Sequence, residues 1–101
     1  MSNSKLLYLK KGDIKTGTFS KKIACEYSFY DDKIIVRPMG WNRLFNSADI
    51  VIYKEDIIGC KDSFDFLIYY NFILQTKRGN YTLRFMGDKL QIKQLLNEYC
   101  S

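Results

Sequence analysis

Histidine does not occur anywhere in the 101 residues. Its absence removes the commonest general base, every Ser-His or Cys-His nucleophile pair and the usual neutral nitrogen ligand for zinc or iron. Proline occurs once and glycine six times among abundant Ile, Leu, Phe and Tyr, which excludes collagen-like, low-complexity and intrinsically disordered chains. Cysteine is also scarce: Cys25, Cys60 and Cys100 match neither a Cys-x-x-Cys redox pair nor a zinc knuckle. Their spacing reads as reduced, buried thiols, a usage that suits a cytoplasmic protein. No apolar window of about 18 residues is present, and Met1 to Leu9 lacks an apolar stretch behind a basic run. Neither a membrane span nor a secretion signal is therefore expected. The glycine-rich dinucleotide fingerprint, the phosphate-binding Gly-Lys-Ser/Thr loop and the Gly-x-Ser-x-Gly elbow are missing too.

What is present suffices for one core. With 47% hydrophobic and 16% aromatic residues, a chain of this mass buries roughly 65% of its unfolded surface on folding, without needing disulfide staples. The net charge of +5 is concentrated at the start: Lys5, Lys10, Lys11, Lys15, Lys21 and Lys22 face only Asp13 within residues 1–22, while acids and bases cancel afterwards. This basic N-terminal segment, residues 1–15, reads as a partly ordered extension ahead of a single domain over residues 16–101. Clustered lysines of this kind are attracted to an anionic membrane surface or to nucleic acid. Lys10, Lys11, Lys15, Lys21 and Lys22 are accordingly the candidates for contact with an anionic surface.

From residue 16 onward, short β-rich runs are broken by turn residues every eight to twelve positions, as in a meandering antiparallel sheet or barrel. Thr16 to Lys22 reads as a weak first strand. In Ile23 to Tyr30 the alternation sets Ile23, Cys25, Tyr27 and Phe29 on one face, the expected core face. Asp31-Asp32 makes a tight turn into Lys33 to Arg37, which Pro38 ends because it lacks a ladder donor. Two short strands, Asp49 to Lys54 and Asp56 to Lys61, precede a long hairpin formed by Phe66 to Lys77 and Tyr81 to Met86. After Gly87 the period changes: Ile92, Leu95, Leu96 and Tyr99 share one side of a helix over about residues 88–99, with Asp88 as its N-cap. A helix of that length is marginal alone, so it is expected to dock over the opening of the β structure.

The resulting order, about seven short antiparallel strands and then one amphipathic helix, resembles the pleckstrin-homology-like barrel, in particular its small bacterial and GRAM-type members. The likeness is carried by Tyr27-Ser-Phe-Tyr-Asp-Asp-Lys-Ile-Ile-Val-Arg37, by Val51-Ile-Tyr-Lys-Glu-Asp-Ile-Ile-Gly-Cys60, by Phe72-Ile-Leu-Gln-Thr-Lys-Arg-Gly-Asn-Tyr-Thr-Leu-Arg-Phe85 and by the closing helix. It spans about residues 16–100 and rests on residue type, so it bears on fold more than on function. It implies a mainly β protein with one C-terminal helix, the helix capping the barrel. In lipid-binding members the resemblance implies an inositol phosphate site built by lysines and an arginine of the first two strands. Here only Lys21 and Lys22 stand in the first hairpin, without that basic pattern, which leaves a nonspecific attraction to acidic lipid.

The irregular stretch from Pro38 to Ala48 carries the residue mixture enriched at binding hot spots. Trp41 and Phe45 would supply desolvated apolar contact, and Arg37 and Arg43 orienting charge-assisted hydrogen bonds. Lys77, Arg78 and Arg84 with Tyr70 and Tyr81 form the single constellation suggestive of nucleic acid, and it lacks any recognised nucleic-acid motif. The carboxylate pairs Asp31/Asp32, Glu55/Asp56 and Asp62/Asp65 fall in turns, where aspartate stops and caps chains. The sequence thus predicts a non-catalytic, protein-binding module of the bacterial cytoplasm with no cofactor, no metal and no catalytic residue. Peripheral binding to the inner face of the membrane is the alternative, nucleic-acid binding ranks below both, and an exposed sheet edge offers a route to homo-oligomers.

Overall fold

The computed structural model describes residues 5–16, 23–39, 49–64 and 69–100. Its elements are β1 (Leu6–Thr16), β2 (Ile23–Tyr30), β3 (Lys33–Pro38), β4 (Ile50–Tyr53), a 3-10 turn (Lys54–Asp56), β5 (Ile57–Phe64), β6 (Tyr69–Thr76), β7 (Gly79–Met86) and the helix α1 (Lys89–Cys100). The strands form one antiparallel sheet in the order β4-β3-β2-β1-β7-β6-β5. A mainly β protein with seven antiparallel strands and a C-terminal helix is therefore what the chain folds into.

The connectivity bends this sheet. Seven strands at a spacing of about 4.8 Å would put the outer two about 29 Å apart if the sheet were flat. Yet the outer strands β4 and β5 are consecutive, and the steps from Tyr53 to Ile57 reach at most about 14 Å. The sheet must curl. No pairing joins β4 to β5 among the described residues, so the curl stays open along one seam.

Alternation decides which side is concave. Ile14, Cys25, Tyr27, Phe29, Ile34, Val36 and Ile52 line it from β1 to β4, and Tyr70, Phe72, Leu74, Leu83 and Phe85 from β6 and β7. The register is consistent throughout, with Gly12 opposite both Cys25 and Phe85 and Ile34 opposite both Phe29 and Ile52. Aromatic rings fill the middle: Phe85 lies 4.7 Å from Tyr27 and 6.0 Å from Phe29, centroid to centroid. The helix adds Ile92, Leu96 and Tyr99 to the same core, with Leu95 partly buried against it. Four positions at helical spacing thus turn to the sheet, as their period dictates. The Tyr99 hydroxyl donates to the carbonyls of Tyr30 and Lys33, tying the last helical turn to the β2–β3 turn.

Several expectations are corrected. Leu6–Thr16 is not an extension: it forms β1, the middle strand of the sheet, so Lys10, Lys11 and Lys15 are part of the fold. Thr16 closes that strand instead of opening a first strand over Thr16 to Lys22, and residues 17–22 lie outside the described residues. Asp88 does accept the Ile92 amide on its carbonyl, but its side chain turns to β1, where it takes hydrogen bonds from Tyr8 and Lys10 at 2.9 Å each. Of the three cysteines only Cys25 is free and buried; Cys60 and Cys100 form a disulfide that joins the end of α1 to the edge strand β5. A 40-residue separation hides this pairing in the sequence, because only the docked helix brings the two together.

Candidate functional site

Of the partner-binding residues expected from the sequence, the structure describes Arg37. Pro38 is the last residue of β3 and is buried, Met39 donates its amide to the Ala24 carbonyl at 3.0 Å, and the chain rejoins the sheet at Asp49 just before β4. Arg37 lies exposed near the end of β3, its Nε 3.6 Å from the Asp49 carboxylate. That ion pair spans the two stems of the intervening segment. Trp41, Arg43 and Phe45 lie outside the described residues.

Of the lysines expected to meet an anionic surface, β1 divides those that the structure describes. Strand alternation sends Tyr8, Lys10, Gly12 and Ile14 toward the concave side and Leu9, Lys11, Asp13 and Lys15 toward the convex side. Lys10 is only 18% exposed along its side chain and is committed to Asp88 at 2.9 Å, which removes it from any docking surface. The Lys10 hydrogen bond, followed by that from Tyr8, holds the Asp88 carboxyl below its usual range. Lys11 is exposed on the convex face. Lys15 lines a small convex recess of about 160 Å³ with Asp13, Asn71, Thr82 and Arg84. Lys21 and Lys22 lie outside the described residues.

The nucleic-acid constellation comes apart. Tyr70 is buried opposite Phe85, and Tyr81 packs against the core opposite Leu74, so both rings belong to the concave side. Arg84 lies between concave-facing Leu83 and Phe85 and lines the convex recess, so the rings and the guanidinium share no face. Lys77 and Arg78 form the tip of the β6–β7 hairpin, where Gly79 takes a φ of +126° that side chains rarely adopt and Thr76 Oγ1 donates to the Gly79 carbonyl at 2.7 Å. Arg78 also reaches the Asp56 carboxylate at 4.0 Å. The carboxylates behave as turn residues: Asp31 and Asp32 make the β2–β3 bend, and Glu55 and Asp56 sit in the 3-10 turn.

No family model matches this chain, and no curated protein does either. Its fold has a solved counterpart. The crystal structure of the C-terminal domain of an unknown protein from Leishmania infantum is similar at a TM-score of 0.71, over 95% of this chain and 84% of that one. At 10% identity the likeness concerns the fold alone.

Sequence reasoning missed the union of Tyr8, Lys10 and Asp88, since nothing local marks residues some eighty positions apart as partners. One signal was available: the run Leu6-Leu7-Tyr8-Leu9 is too apolar for a purely solvated leader. Among the described residues, no group of three or more His, Cys, Asp or Glu side chains converges as a metal site would require, and no helix is long and apolar enough to cross a membrane. The described surface carries charged rims and exposed apolar side chains.

Proposed function

We propose that this chain is a non-catalytic, protein-binding module of pleckstrin-homology-like architecture. Its docking surface is the one built from Arg37, Trp41, Arg43 and Phe45. The observation that carries this reading is the Arg37–Asp49 pair, 3.6 Å apart, which draws together the two stems of the one segment holding the only tryptophan. Its Trp, Phe and Arg are the side chains that dominate interface energetics. The strand order, curled with its seam between β4 and β5 and sealed by α1, is the arrangement expected of a pleckstrin-homology-like barrel.

The test is capture of partners by the full chain and by the double variant Trp41→Ala, Phe45→Ala. The variant is expected to keep the wild-type far-ultraviolet circular dichroism and to lose its partners. Undiminished capture, or loss of the fold, would refute the assignment.

A further inference from the structure

The convex face of β1 to β4 carries an apolar patch bordered by a line of alternating charge. Leu9 stands opposite Ser28, Ser28 opposite Ile35 and Ile35 opposite Val51, so all four share the convex side. One step toward the β2–β3 turn, Leu6 stands opposite Tyr30 and Lys33 opposite Tyr53. The Lys33 ammonium, 5.5 Å from the centre of the Tyr30 ring, joins the two pairs. The register shift after Leu6 is what turns it to this side. The patch is continuous, because each step across it is a strand pairing. Leu6 and Leu9 are 45% and 52% exposed, and Tyr53 is 41% exposed. One step the other way, Lys11 is opposite Glu26, Glu26 is opposite Arg37, and Arg37 pairs with Asp49 at 3.6 Å.

The charges say what covers this face. Lys11, Glu26, Arg37 and Asp49 alternate in sign and sum to zero. Around the patch, Lys5, Lys33 and Lys54 are balanced by Asp31, Asp32 and Glu55. A chain of net charge +5 thus has a face without net charge, to which anionic lipid and nucleic acid are not drawn. A line that alternates plus, minus, plus, minus is complementary to its own reverse. A two-fold axis parallel to the strands, between β2 and β3, brings such a reverse into place. It sets Lys11 against Asp49 of a second copy and Glu26 against Arg37. The same rotation sets Leu9 against Val51, Leu6 against Tyr53 and the Tyr30 ring against the Lys33 ammonium. The small Ser28 then leaves room for Ile35 opposite.

We propose that two copies of this chain associate through the convex faces of β1 to β4 about that axis. Three lines of four residues fall short of the about 20–30 a side in a standard interface, so dissociation is expected at about 10 to 100 µM. Arg37 and Asp49 also flank the segment proposed to dock partners, but the dimer uses no residue of 40–48 and does not rest on that reading.

The test is sedimentation equilibrium of the full chain from about 5 to 500 µM, over which it is expected to pass from monomer to dimer and no further. Lys11→Glu and Asp49→Lys, both at exposed positions, should each weaken association about tenfold or more, since each homodimer then holds two like-charge pairs. An equimolar mixture of these two variants should regain wild-type association, because every facing pair in the mixed dimer is opposite in sign. Leu9→Thr, which keeps strand propensity, should weaken it about tenfold. Trp41→Ala with Phe45→Ala should leave the dimer intact, which separates failure here from failure of the docking segment. A chain monomeric throughout, association unmoved by the face variants, a mixture no tighter than either variant alone, or a dimer lost with Trp41 and Phe45 would overturn the proposal.

Discussion

Gly12 and Lys10 explain why the middle strand of this sheet hides in its sequence. The concave positions of β1 are Tyr8, Lys10, Gly12 and Ile14, so the alternation that marks a half-buried strand is broken twice. Each break has a cause elsewhere in the chain. Lys10 can turn inward because Asp88 neutralises it, and Gly12 because the Arg84 carbonyl and the Tyr27 ring occupy the place of a side chain. Gly12→Ala is therefore expected to destabilise by about 1 to 3 kcal/mol, measured by urea unfolding, although alanine ordinarily stabilises relative to glycine. A neutral or stabilising result would deny the close approach of β1 and β7. Asp88 yields a pH prediction. Its folded pKa is depressed by Lys10 and Tyr8, so its contribution is complete above the ordinary value of 3.8 and disappears as pH falls through the lower folded value. The gap in thermal midpoint between the wild type and Asp88→Asn should stay constant from neutral pH down to about 5 and then close on further acidification. A gap that persists to pH 2 would remove the carboxylate from that role.

At the scale of elements, legibility follows locality. β2 was readable to the residue because Ile23, Cys25, Tyr27 and Phe29 alternate without interruption, and α1 because Ile92, Leu95, Leu96 and Tyr99 keep helical spacing. Both patterns are set by neighbours in sequence. The disulfide is not: Cys60 belongs to an edge strand and Cys100 to the end of a helix, and the fold must form before they meet. Closing a loop of that size contributes roughly 2 to 4 kcal/mol, by restricting the unfolded chain. A Cys60→Ser, Cys100→Ser double variant should lose about that much in denaturant unfolding, with the loss matched in the wild type by reduction with a dithiol. Wild type and variant equally stable under oxidising conditions would show that the link is not made. Cys25 does not confuse the comparison, since burial pushes its thiol up to about 12 and keeps it protonated. For the candidate sites, sequence chemistry named Arg37, which lies exposed near the end of β3. It could not see that Lys10 is withdrawn, because that fact belongs to the packing of distant elements.

The whole molecule depends on one closure. An open curled sheet exposes its apolar side unless α1 covers it, and a lone helix of twelve residues does not persist in water, so each needs the other. The proposed Arg37 surface holds its geometry only if sheet and helix behave as one cooperative body. Amide hydrogen exchange of the intact chain tests this most directly. The account predicts that the amides of Ile14, Leu83 and Phe85 in the middle strands and of Leu96 and Tyr99 in the helix exchange at one shared slowest free energy, that of global unfolding. Helix amides exchanging through a separate, lower-energy opening while the strands stay protected would contradict it.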